Sequence, residues 1–139
     1  MSYTNQIKKY LSEIGGENIT EVDAEGQAVI GFSYIINEKK MNIAIFHGSH
    51  EDRIIFQIFC SLPNAYNEPD KILYKIIEKL NVKSIIGSLF FAETDGDYFI
   101  SYKSNLVHEK PIGSFKNVEL FITTSLQMIS INDSELNIL

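Results

Sequence analysis

The sequence predicts an α+β domain, a mainly antiparallel five-stranded sheet with three helices packed on it, in the order helix, three strands, helix, two strands, helix. Three observations lead there. Two apolar stripes at helical spacing mark amphipathic helices: Ile72, Leu73, Ile76, Ile77 and Leu80, then Val118, Phe121, Ile122, Leu126 and Ile129. Apolar, β-branched runs separated by short polar turns mark strands joined as hairpins. Asp95-Gly96 lies between two such runs, and that turn needs positive φ, which glycine adopts without a Cβ clash. Hairpins with helices set apart give an α+β arrangement rather than parallel βαβ units.

A chain of 139 residues suits one core, and residues 1–139 are read as a single domain. Ile7, Tyr10, Leu11 and Ile14 follow one helix face, with Thr4 as the expected cap and Gly15-Gly16 as the stop. An acidic loop around Glu21, Asp23 and Glu25 comes next. Residues 27–36 then read as a strand, with Ala28, Ile30, Phe32, Tyr34 and Ile36 on one face. A polar turn leads to a second strand over residues 41–46. His47-Gly48-Ser49-His50-Glu51-Asp52 reads as a further turn, and residues 53–62 as the third strand. That strand places Ile54, Phe56, Ile58 and Cys60 on one face and Ile55 and Phe59 on the other, so both faces are expected to be covered.

Residues 63–70 carry loop residues and acidic groups suited to a helix start, and the first apolar stripe follows. The Asp95-Gly96 hairpin comes after it. Beyond Pro111-Ile112-Gly113, Ser114 is the expected cap of the last helix, Ser125 the small position in its stripe, and residues 132–139 a frayed tail.

Leu80-Asn81, Gly87-Ser88-Leu89, Asp95-Gly96, and Tyr98 to Tyr102 followed by Lys103-Ser104-Asn105-Leu106 resemble, with the element order, the YbjN family of small bacterial proteins. The fold associated with that family is that of type III secretion chaperones. The resemblance implies a non-enzymatic, acidic, usually dimeric module that binds segments of other proteins or acts in regulation.

Charge and motif patterns narrow the function further. Eighteen acidic against 12 basic side chains give a net charge of −6, and the basic doublets Lys8-Lys9 and Lys39-Lys40 are too small for a phosphate-binding footprint. Nucleic acid is therefore not an expected partner. The N-terminus lacks the basic and apolar regions of a signal peptide, and no apolar run approaches the roughly 20 residues of a membrane helix. The expected location is cytoplasmic, with no membrane partner. Cys60, the single cysteine, lies in an apolar strand and reads as a buried, inert thiol.

His47 and His50 with Glu51 and Asp52 have metal-ligating residue types, so the alternative function is a small metal-dependent hydrolase or a small-molecule-binding protein using that turn. The spacing matches no closed metal site, and polar residues are ordinary in a solvated turn. No nucleophile, base and orienting group stand in a recognisable pattern, so neither an enzyme nor a cofactor is expected. Apolar residues on both faces of residues 53–62 and of the hairpin point instead to an interface. Ile55, Phe59, Phe90 and Tyr102 are the candidate partner-binding residues, the partner is another protein, and a homodimer is expected.

Overall fold

A computed structural model describes residues 2–66 and 68–137. Its elements run α1 (Tyr3–Glu13), β1 (Glu17–Ala24), β2 (Gln27–Ile36), β3 (Lys39–His50), β4 (Arg53–Tyr66), α2 (Lys71–Lys83), β5 (Ser88–Thr94), β6 (Asp97–Glu109) and α3 (Lys116–Leu136). The strands form one sheet in the order β1-β2-β3-β4-β6-β5, each neighbouring pair antiparallel.

The α+β class stands, but the sheet has six strands where five were expected. β1 occupies the residues read as an acidic loop. As an edge strand it has only Ile19 partly buried, so it needs no apolar alternation and shows none. Its hairpin was nonetheless encoded. Glu25-Gly26 has φ of +52° and +81°, nearly the values of +52° and +84° at Asp95-Gly96.

The strands also run further than the apolar pattern suggested. β3 continues through His47 to His50, and β4 through Pro63 to Tyr66. A register irregularity between Ser61 and Ala65 accompanies Pro63, which has no N–H to give a regular ladder.

One face of the sheet holds the core. Ile30, Ile45, Phe56, Ile58, Ile100 and Tyr102 from the strands are fully buried against Ile7 and Leu11 of α1, Ile77 and Leu80 of α2, and Val118, Ile122 and Ile129 of α3. Each such aliphatic side chain contributes about 1.5–3 kcal/mol on burial. Ser125 is small for a reason, since its hydroxyl bonds that of Ser104 at 2.8 Å inside this layer.

Helix ends depart from the expected caps. Ser2, not Thr4, caps α1, its Oγ accepting from the Asn5 N–H at 3.2 Å. Phe115 occupies the cap position of α3 without a side-chain bond, while Ser114 accepts weakly from the Lys116 N–H at 3.4 Å. The expected tail is helical through Leu136, with Asn132, Asp133 and Leu136 buried.

A polar lock explains this last difference. Asp133 accepts from Lys39 Nζ at 2.9 Å and from Asn37 Nδ2 at 3.0 Å, and Asn37 also donates to the Ser130 carbonyl at 3.0 Å. Asn37 and Glu38 both have positive φ, as a tight primed turn requires, so the β2–β3 turn reaches α3 and pins its last turns. Among the described residues no helix is long and apolar enough to cross a membrane.

Candidate functional site

All three helices lie over one face, so the expectation that both sides of β4 are covered is corrected. No element among the described residues covers the other side. Strand registers build that open face row by row. Gly48, Ile55 and Val107 form one row, Phe46, Gln57 and Asn105 the next, and Ala44, Phe59, Lys103 and Ser88 a third. The Phe59 and Phe90 rings meet at 6.0 Å between centroids, tilted by 52°. Ile55 is 39% exposed and Val107 54%, while in the next row Gln57 Nε2 donates to Asn105 Oδ1 at 2.9 Å.

Lys103 is the single charge in the middle rows, since the acidic residues of this −6 chain stand elsewhere or at the ends of the strands. Where Gly26 and Gly48 leave room beside the rows, a cleft of about 490 Å³ is lined by Glu25, Gln27, Phe46, His50, Ile55 and Gln57. The face can therefore take apolar side chains along its rows and a carboxylate at Lys103.

Ile55, Phe59 and Phe90 share this face, but Tyr102 does not. Tyr102 points into the core with no exposure, its hydroxyl donating to the Ile86 carbonyl at 2.6 Å, and burial pushes its pKa up. Strand parity separates it from the other three, because it pairs with Cys60 and Leu89, both on the helix-covered side. Phe46 and Val107 belong to the face and were missed. Val107 lies beyond residue 102, where the hairpin strand was expected to end, whereas Phe46 stood on the alternate face of its expected strand, and only the register against Gln57 places it beside the others.

The histidine cluster also comes apart. His47 and His50 lie on β3 rather than in a turn, and an odd separation along a strand directs side chains to opposite faces. His47 faces the helices: its Nε2 is 2.8 Å from Thr4 Oγ1 and its ring 5.9 Å from that of Phe56. Burial lowers its pKa, with Asp23 opposing. His50 is exposed at the strand end opposite Arg53, and Glu51 is in the turn at φ +56°. No group of three or more potential ligands is assembled among the described residues. Cys60 is buried, and burial followed by the Asp133 charge pushes its thiol up to about 12.

The block that carries the family resemblance is architectural here. Asn81 at the end of α2 accepts from the Leu89 N–H at 2.7 Å and donates to the Leu89 carbonyl at 3.1 Å. Its amide thus takes the place of a neighbouring strand on the outer edge of β5. Gly87 has φ +77°, and a Cβ there would lie 2.5 Å from the Tyr102 hydroxyl.

Comparison with known proteins is consistent with a shared architecture. No family model and no curated protein matches the chain. The crystal structure of YbjN from E. coli, described as a candidate transcription regulator, superposes with a TM-score of 0.62 at 12% identity, covering 98% of this chain and 92% of that one. What this chain shares with YbjN, at that identity, is the fold.

Proposed function

We propose that the protein is a non-enzymatic binding module, chaperone-like or regulatory, that holds an apolar segment of a partner protein on the open face of its sheet and acts as a cytoplasmic homodimer. The observation that carries this reading is the one-sided helix layer, which leaves Phe46, Ile55, Phe59, Phe90 and Val107 on a face that nothing in the described chain covers. Extended segments bind such surfaces by placing alternate side chains into shallow pockets. The likeness in fold to YbjN, described as a candidate regulator, supports a binding role.

A photo-crosslinking residue at position 55 or 107, with position 116 on α3 as the control, tests it in the source cell. Discrete protein adducts at 55 and 107 but not at 116 are expected. Light scattering after gel filtration is expected to give twice the 15.8 kDa chain mass. The cleft beside Phe46 and His50 favours a second reading, a small-molecule site. Absence of adducts, together with a metabolite that raises the melting temperature by several degrees, establishes that reading instead. Near-stoichiometric metal in the purified protein, lost on replacing His47 and His50 by alanine, would count against the binding-module reading and favour the metal-dependent alternative.

A further inference from the structure

The outer side of α2 carries a charge pattern that helix stability opposes. Lys71, Lys75, Lys79 and Lys83 follow one another at four-residue spacing, and all four are exposed. On a helix this spacing brings them to one side over about 18 Å. Like charges four residues apart destabilise a helix. Among the described residues no carboxylate pairs with any of them, the two ion pairs being Lys8–Glu21 and Lys39–Asp133. A third of the 12 basic residues of a chain with net charge −6 are thus gathered on one side of one helix.

Apolar side chains are interleaved with these lysines. Ile72 is 70% exposed and Val82 82%, both on the lysine side of the helix, and Ile85 just beyond its end is 84% exposed. Beside them Leu80, Ile85, Met128 and Ile131 line a small apolar cleft of about 110 Å³ between α2 and α3. The surface pairs unsatisfied positive charge with unburied aliphatic area.

We propose that α2 is a docking surface for a short acidic, amphipathic segment of a partner protein, its carboxylates meeting the four lysines and its apolar side chains covering Ile72, Val82 and Ile85. Charge complementarity selects the acidic partner, and size selects a short segment over an extended anionic surface. A membrane or a nucleic acid is a continuous anionic surface and would meet the exposed Glu68, Asp70, Glu78 and Glu135 together with the lysines. A short segment meets only Glu78, four residues before Val82 on the same side, and Glu135, which lines the cleft with Lys83, and can set apolar side chains rather than carboxylates against those two. α2 packs against β5 on the helix-covered side of the sheet, so this surface is distinct from the open face and fails or succeeds independently of it.

The probe is a fluorescein-labelled synthetic helix-forming peptide with glutamates at four-residue intervals and leucines between them, read by anisotropy against the full chain. A control peptide carries glutamine for glutamate. The quadruple variant K71Q/K75Q/K79Q/K83Q alters only exposed side chains, and circular dichroism checks its fold. Saturable binding of the acidic peptide is expected, weakened about tenfold or more in the quadruple variant, weakened by added salt, and unchanged by Ile55→Ser with Val107→Ser on the open face. Equal binding by the quadruple variant, no binding, or tighter stripe-dependent binding to phosphatidylserine vesicles or to an oligothymidylate overturns the proposal, and none of these outcomes bears on the open-face adducts.

Discussion

Gly87→Ala should cost about 4 kcal/mol of folding stability, far more than alanine at the other positive-φ glycines of the turns. At φ +77° an L-residue carries about 1–2 kcal/mol of backbone strain. The new Cβ would also stand 2.5 Å from the Tyr102 hydroxyl, 2.6 Å from its Cζ and 2.7 Å from the Lys103 carbonyl oxygen. Tyr102 has no exposure and no slack, so relief means moving a packed ring, at about 1–3 kcal/mol for overpacking. That movement also threatens the 2.6 Å bond to the Ile86 carbonyl, at about 1–3 kcal/mol for a buried acceptor left unmade. Gly96→Ala is the internal control, because its φ is +84° and nothing lies within 4 Å of the added atom. It should show the backbone strain alone. Urea unfolding followed by circular dichroism gives both values, and a Gly87→Ala loss within about 0.5 kcal/mol of the Gly96→Ala loss would refute the close-approach argument.

Asp133→Ala should lower stability by about 1–2 kcal/mol, since it removes the acceptor shared by Lys39 and Asn37 while Lys39 keeps partial access to water and Asn37 keeps the Ser130 carbonyl; a urea-derived loss below about 0.5 kcal/mol would show the lock to be incidental. His47 binds a proton less readily in the folded chain than in the unfolded one, because burial lowers its pKa below 6.5. Stability from this group is therefore present while the unfolded histidine is neutral and is lost as pH falls through its unfolded pKa. The fall in melting temperature between about pH 7.5 and 5 should be larger for the wild type than for His47→Gln, and equal slopes would remove His47 from the account. With its thiol near 12, Cys60 should resist iodoacetamide at about pH 8 in native protein and react fully in urea; rapid native alkylation would contradict its burial.

The helices and the central strands were legible because burial on one face writes a period into the sequence. Ile72 to Leu80 and Val118 to Ile129 show it at helical spacing, and Ile54 to Cys60 at strand spacing. β1 was not legible in that way, since a strand exposed on both sides at the sheet edge is free to be Glu, Asn, Thr and Asp. The end of α3 was hidden for a different reason. Asn132 and Asp133 look like tail residues until the β2–β3 turn brings Asn37 and Lys39 to them, nearly a hundred residues away in the chain. Of the candidate face, Ile55, Phe59 and Phe90 were read from parity, whereas Tyr102 was assigned to the wrong side because its own strand was not registered against its neighbours. The lysines of α2 are never adjacent in sequence, and only the helical period turns them into a cluster.

Asn81 has a consequence for assembly. A sheet that ends in an apolar strand is a template on which further chains can add without limit, each copy exposing a fresh edge to the next. By occupying both backbone groups of Leu89, the Asn81 amide blocks an incoming strand at the start of the β5 edge. On the β1 side the positive-φ Asn18, the register shift beside it and the acidic Glu17, Glu21 and Asp23 hinder pairing by distortion and repulsion. With both edges of the sheet hindered in this way, unlimited strand-by-strand addition is disfavoured relative to contact through a face, which is self-limiting.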